Sequence, residues 1–454
     1  MFGVQGSGFG VRRFRAFPML AAGHYHLVGA AGVGMSALAQ ALVGAGMRVT
    51  GSDRYLDKGD NLPVIQQLGR AGVEFCAQDG GAITRETRAV VLSTAIEKDN
   101  PDVLAANRLG VPCLHRSVVL AELTDGKRCI AVTGTSGKST VTGMIGWILE
   151  VAGMDPVVVN GAPVLNWADG TRVGNYRGGK SDICVIEADE SDRSLLNYRP
   201  DWGVITNASR DHFELEETLK LFAAFKARVK VGLVSTLDEP GLLAAARLQA
   251  MQGGVRVKSG ALECMVPLLG MHNAQNAVVA AALCGRLGIE TGVIRRGLET
   301  FRGIGRRLER IGTARGVLVV DDYGHNPAKI RAAWESLAPH GKRVVGIWRP
   351  HGYGPLRMML DDLTETFADV CRASDRVLVL PVYDAGGTAE RAVTADVLVE
   401  RLRARGVDAE AVVDVQALPG AIAVSVKADD VVVTMGARDP HLADLAREIL
   451  RRLG

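Results

Sequence analysis

From His24 onward the chain keeps repeating one pattern: a short apolar run, a glycine turn, then a stretch with helical spacing. HYHLVGA (24–30) is followed by GVGMSALAQALVGAG (32–46), and MRVTGSD (47–53) is a second apolar run ending in an acid. VVLSTA (90–95) and VPCLH (111–115) continue it. Runs this apolar, separated by helices, predict parallel strands covered on both faces. At 454 residues the chain is long enough for about three such units.

The polar stretch LTDGKR (123–128) marks a boundary, and a new strand opens at Cys129. CIAVTGTSGKST (129–140), DICVIEAD (182–189) and WGVITNAS (202–209) are strands running into polar ends, and HNAQNAVVAAALCGRLG (272–288) closes this segment as a helix. FRGIGRRLERIG (301–312) reads as the exit linker. Four more strands follow, in VLVVDDYGHNP, RVVGIWRPHG, DRVLVLPVYDAGG and DVVVTMGARDP. The predicted division is 24–124, 125–301 and 302–454, with residues 1–23 a disordered tail or an over-long start, Met19 being the alternative start. In open parallel sheets ligands bind at the carboxyl ends of strands, so these polar ends are where chemistry is expected.

A net charge of +3 gives no basis for a nucleic-acid or membrane-surface partner. Gly or a charge interrupts every apolar stretch well before about 18 residues, so no spanning helix is expected. Seven scattered cysteines without a CxxC pair predict reduced thiols in a cytoplasmic protein.

Thr133-Gly134-Thr135-Ser136-Gly137-Lys138-Ser139-Thr140 is the strongest local signal. A glycine loop between strand and helix aims backbone N–H groups at an anion, and the helix N-terminus adds about half a positive charge. Lysine and hydroxyl then serve the outer phosphates and Mg²⁺. Val132 stands where the common phosphate loop has its first glycine, so this is a variant. Gly29-Ala30-Ala31-Gly32-Val33-Gly34, with Asp53 on the next strand, has glycines at 0, +3 and +5 rather than the 0, +2 and +5 of a dinucleotide fingerprint. The turn is left as either a nucleotide-diphosphate seat or a structural bend. Glu187-Ala188-Asp189-Glu190-Ser191-Asp192 and Asp211-His212 end neighbouring strands. Alone such a loop is a solvated acidic turn; beside a phosphate loop it suits hard cations. Asp321-Asp322-Tyr323-Gly324-His325-Asn326-Pro327 and Trp348-Arg349-Pro350-His351-Gly352-Tyr353-Gly354 are further strand-to-turn segments.

In order, these segments resemble the Mur ligase family from about His24 to the C-terminus, with TGTxGK[ST][ST] as that family's signature. VGAAGVGMSALA, STAIEKDNPDV, LHRSVVLAEL, EADESD, ITNASRDH, HNAQNAV, RRLE, VDDYGHNP and VYDAGG are most similar to its alanine-adding members. The resemblance implies an α/β fold of three domains: a Rossmann-like N-terminal domain for the UDP-sugar, a central P-loop-type ATPase domain, and a Rossmann-like C-terminal domain for the amino acid. Positions matching substrate segments are Gly32, Gly34, Ser36, Asp53, Thr94, His115 and Arg116. Gly134, Thr135, Gly137, Lys138, Ser139 and Thr140 match the phosphate loop, and His272 and Asn276 match the adenine motif. Ser139, Glu187 and His212 match metal positions. Arg307, Asp322 and His325 match the interdomain catalytic site, where Lys138 and His212 also act. The implied reaction is ATP- and Mg²⁺-dependent amide formation on the carboxylate of UDP-N-acetylmuramate, with L-alanine as acceptor, by a cytoplasmic monomer or homodimer in peptidoglycan synthesis.

Three departures bear on the acceptor. Ser136 replaces the usual His, Asn326 replaces the second of two adjacent His, and PHGYGPLR has Gly352 and Pro355 at arginine positions. A peptide-recycling ligase and a ligase for another amino acid therefore remain alternatives. A nicotinamide oxidoreductase is excluded by the glycine spacing, and a non-catalytic nucleotide binder would not need Glu187, His212 and Asp322 together. Finally, LFAAFKARVK puts Lys226 in a stretch similar to one in which relatives adding later residues carry a carbamylated, metal-associated lysine; the other reading is an exposed helix lysine in a basic run with Lys220, Arg228 and Lys230.

Overall fold

The computed structural model describes residues 22–60, 62–210, 213–384 and 391–454. The tail reading of residues 1–23 falls almost wholly outside them, as do Asp211, His212 and the two glycines of VYDAGG.

The first sheet joins β1 (His24–Val28), β2 (Arg48–Ser52), β3 (Val73–Cys76), β4 (Thr87–Leu92) and β5 (Cys113–His115) in the order β3-β2-β1-β4-β5, all parallel. The second joins β6 (Arg128–Thr133), β7 (Val157–Val159), β8 (Tyr176–Arg177), β9 (Ile183–Glu187), β10 (Trp202–Ile205) and β11 (Gly232–Ser235) in the order β11-β10-β6-β9-β7-β8, with β8 antiparallel at the edge. Both orders reverse direction beside the strand carrying the glycine turn, so β1 and β6 open onto crevices at their carboxyl ends.

β12 (Arg247–Met251), β13 (Gly254–Ser259) and β14 (Leu262–Val266) form a separate antiparallel sheet that the sequence reading left without elements. Its alternating burial and its turns at Gln252-Gly253 and Gly260-Ala261 are a legible hairpin pattern. The helix Met271–Arg286 packs its buried face on this sheet and on the helix after the phosphate loop.

The last sheet joins β15 (Glu309–Ala314), β16 (Val317–Asp322), β17 (Arg343–Trp348), β18 (Arg376–Val379), β19 (Asp408–Ala411) and β20 (Asp430–Met435) in the order β15-β16-β20-β17-β18-β19. The exit-linker reading of 301–312 needs correction: its last residues begin β15, which pairs antiparallel to β16. Alternation there is hidden by charge, since an edge strand buries only part of itself. β16 and β20 are buried at every position, as expected of strands covered by helices on both sides.

The first unit is not free-standing. Leu27, Leu38 and Leu42 belong to one apolar cluster with Cys129, Ile186, Phe222 and Phe225 of the second. All seven cysteines are free, and among the described residues no helix is long and apolar enough to cross a membrane.

Candidate active site

One cleft of about 1800 Å³ is lined by strand ends from all three large sheets. The phosphate loop is its centre. Gly134 sits at φ +138°, and a Cβ there would collide with the Thr206 side chain. Gly137, at φ +81°, caps the helix Lys138–Val151 against the amide of Asn276. Both positions therefore require glycine for backbone and for space. The loop is laced to the end of β10: Asn207 Oδ1 accepts from Ser136 N–H at 3.0 Å and from the Thr135 hydroxyl at 2.6 Å, and the Thr206 hydroxyl donates to the Ser136 carbonyl at 2.5 Å. No side chain caps the helix, leaving its first N–H groups for an anion.

Lys138 Nζ lies 2.6 Å from Glu190 Oε2 and donates to the Gly134 carbonyl at 3.0 Å. Burial opposes its charge, yet Glu190, Asp189 and Glu187 together hold its pKa above the ordinary lysine value. Glu190 is 1% exposed, and burial pushes its carboxyl up against the pull of Lys138. Its Oε1 has no hydrogen-bond partner. This pair was not foreseen: Glu190 was read only as part of an acidic loop.

Oxygen donors gather beside it. Ser139 opens the helix, Glu187 ends β9 and accepts from Gly161 N–H at 2.8 Å, and Asn160 donates to the Ser139 carbonyl at 3.0 Å while its buried Oδ1 is left unpartnered. A hydroxyl, a carboxylate and an orphaned amide oxygen are hard donors and fit Mg²⁺. Among the described residues no three His, Cys, Asp or Glu side chains gather closely enough to hold a metal by themselves. Few protein ligands, completed by phosphate and water, is the usual Mg²⁺ arrangement. Thr140 is buried behind the loop, and exposed His272 and buried Asn276 line the cleft beyond it.

Lys226 requires correction. It ends the helix Leu215–Lys226, does not line the cleft, and gives its Nζ to Asp238 Oδ1 at 2.6 Å. Its amine is thus engaged by a carboxylate away from the cleft, an arrangement that does not bring it to the metal donors there.

In the first unit, Gly29 takes φ +71°, Gly32 starts the helix Val33–Gly44, and Gly34 lies against the Arg116 guanidinium. Thr94 is exposed and Arg116 half-buried on the cleft wall. Arg116 Nη2 is 3.4 Å from Asp189 and 3.3 Å from Asp192, tying this unit to the acidic loop of the second. Asp53 holds the turn itself: one oxygen accepts from Ala31 N–H at 2.9 Å, the other from Tyr55 N–H at 3.1 Å. Ser36, on the cleft lining and 1% exposed, donates to the Val33 carbonyl and accepts from Asn175, so its hydroxyl also fastens the first unit to the second. One further assignment changes. His115 caps the helix Arg116–Thr124, faces Asp192 at 3.6 Å and is not on the cleft wall.

The third sheet closes the cleft. Asp322, driven up in pKa by burial and restrained by Arg307, accepts from Leu308 N–H at 2.8 Å and Gly324 N–H at 2.7 Å. It thus pins the entering segment that carries Arg307, whose guanidinium lies 4.9 Å from the Tyr323 ring centroid. His325 and His351 meet edge to face at 5.0 Å, and burial is the main cause that lowers both to about 4, leaving both neutral at pH 7.

Comparison with known proteins agrees over the whole described fold. Residues 24–128 match the Mur ligase family catalytic domain, 132–237 the Mur ligase middle domain, and 306–438 the Mur ligase glutamate ligase domain. A UDP-N-acetylmuramate–L-alanine ligase of Burkholderia multivorans is 35% identical over 91% of this chain and 95% of its own, and that of Brucella ovis is 33% identical over 91% and 94%. The UDP-N-acetylmuramate–alanine ligase structure from Thermotoga maritima superposes with a TM-score of 0.77 at 25% identity, covering 95% of this chain and 99% of that one. A murein peptide ligase from Psychrobacter arcticus shares the fold at TM-score 0.64 and 22% identity, over 95% and 99%. Family models matching in three consecutive segments, with relatives aligned nearly end to end, make this chain a member of the Mur ligase family.

Proposed function

We propose that this protein is an ATP-dependent ligase that joins the carboxylate of UDP-N-acetylmuramate to L-alanine through an acyl phosphate. The observation that carries the reading is the shared cleft: the phosphate loop, the glycine turn of the first sheet and the strand ends of the last sheet open onto one space. In this reading 24–124 holds the UDP-sugar, 125–301 holds ATP and 302–454 holds the acceptor.

A carboxylate is a poor acyl donor, and its attack on the γ-phosphate brings two anions together. Lys138, buried and firmly cationic, offsets that repulsion and stabilises the transferring phosphoryl group. The uncapped helix N-terminus and the loop N–H groups seat the other phosphates. Mg²⁺, held by Ser139 and Glu187 with His212 as a third candidate, would neutralise phosphate charge when bound. The incoming amine then attacks the acyl phosphate, and phosphate leaves. His325, neutral because it is buried, offers that amine an acceptor without a repelling charge. Arg307 faces the same space from the interdomain segment and suits the leaving phosphate. Closure around the cleft keeps water from the acyl phosphate.

The reading carries with it a cytoplasmic setting, a monomer or homodimer, and no nucleic-acid or membrane partner. Phosphate release requiring ATP, UDP-N-acetylmuramate and one acceptor, screened across twenty amino acids and a short peptide, tests the reading. L-alanine as best acceptor supports it. A peptide strongly preferred over every amino acid would replace it with the recycling reaction, and no acceptor-dependent release would end it.

A further inference from the structure

β20 lies between β16 and β17, and Met435 is in register with both Asp322 and Trp348. Three residues past that row on each strand stand His325, Arg438 and His351. Three loops thus bring two imidazoles and one guanidinium to the same sheet end, on the wall of the cleft.

Among the other arginines nearby, Arg307 lies over the Tyr323 ring and is the one assigned above to the leaving phosphate, and three more are held in ion pairs. Arg306 reaches Asp321 at 3.1 Å and the carbonyls of Gly436, Ala437 and Asp439. Arg349 is bound to Asp439 at 2.6 Å, and Arg447 to Asp444 at 2.9 Å. Arg438 is exposed and has no hydrogen bond or ion pair among the described residues. Its charge is nevertheless felt by His351, second to burial among the causes that lower that ring. A free guanidinium at the same sheet end as two uncharged imidazoles is a receptor for a carboxylate, because its planar fork can give two parallel hydrogen bonds.

We propose that Arg438 binds the α-carboxylate of the incoming amino acid and so fixes its amine toward the acyl phosphate. The inference rests on the ligase reading above and adds the residue that selects the acceptor. It also bears on Gly352 and Pro355: neither position offers a cation, and the neighbouring strand end carries Arg438 instead.

The test compares L-alanine with L-alaninamide, which keeps the amine and lacks the carboxylate. Wild-type enzyme should prefer the acid strongly in kcat/KM. Arg438→Ala should raise KM for L-alanine by roughly ten- to a hundredfold and erase most of that preference, because a charge-assisted pair is lost. KM for ATP and for UDP-N-acetylmuramate should stay within about twofold, and Arg438→Lys should recover part of the loss. Unchanged KM and unchanged acid-over-amide preference in Arg438→Ala would overturn the proposal while leaving the ligase reading intact. Absence of acceptor-dependent phosphate release in the wild type would instead defeat the ligase reading, and this inference with it.

Discussion

Lys138 and Glu190 form an ion pair in a place where ATP would put its phosphates. A buried pair of this kind is held less by Coulomb gain than by the cost of leaving either charge alone. Phosphate oxygens can take over one partner without leaving the lysine uncompensated. Lys138→Ala should therefore abolish ligation, at a cost on the order of 3 kcal/mol or more in the barrier, while UDP-sugar binding measured by calorimetry stays nearly intact. Residual activity above about a tenth of wild type would remove its assigned role. Glu187 is oriented by Gly161 N–H and offers its remaining lone pairs to the cleft. Glu187→Gln should raise the Mg²⁺ concentration needed for half-maximal rate by about tenfold or more; an unchanged Mg²⁺ titration would reduce it to a loop acid. Gly134, Gly137, Lys138 and Ser139 were legible because a phosphate loop is contiguous in sequence. Glu190 was not, since nothing local distinguishes it from Asp189 or Asp192.

The strand ends of the last sheet carry a titration that reaches stability. His325 and His351 are lowered from 6.5 to about 4, first by burial and then by neighbouring cations. Between those values the unfolded chain binds protons that the folded chain refuses, so stability is full above about pH 6.5 and falls as pH drops toward 4. Each ring contributes on the order of 1–2 kcal/mol to that loss, discounted for its partial solvent contact. The melting temperature of His351→Gln should depend less on pH between 6.5 and 4 than that of the wild type; parallel curves would show that the ring is not the source. The strands themselves were readable as apolar runs. Their order was not, because periodicity fixes which faces are buried and says nothing of which neighbour each strand takes. The edge strand β15 escaped because partial burial dilutes its pattern, whereas the hairpins of the three-stranded sheet were legible in their alternation and turns and went unread.

Across the cleft the first and third units touch through Tyr55 and Tyr383, whose hydroxyls are 3.0 Å apart. Tyr55 follows Asp53, which caps its helix, and Tyr383 stands over Arg349 at the end of the last sheet. One such hydrogen bond is worth about 0.5–1.5 kcal/mol. Tyr55→Phe and Tyr383→Phe should each lower kcat by roughly two- to tenfold with little change in melting temperature, and the double variant should lose no more than either alone. Additive losses would mean that the two rings act separately. The first unit also meets the second along a shared apolar cluster and through Gln40 and Ser36 bonded to Asn175. Ser36, placed by resemblance in a substrate segment, thus lies on the cleft lining with its hydroxyl also engaged across the two units.

The alternation of strand, turn and helix, the phosphate loop and the ordered family motifs were all written in short stretches of sequence, because each depends on neighbours within about ten residues. They sufficed for the fold class and for the ligase chemistry. The pairing of Lys138 with Glu190, the burial of Ser36, the capture of Lys226 by Asp238 and the meeting of His325, Arg438 and His351 depend on which distant strands lie side by side. Residues a hundred positions apart share a sheet end only after the apolar faces have chosen their partners, and that choice minimises exposed surface over the entire chain rather than within any segment of it.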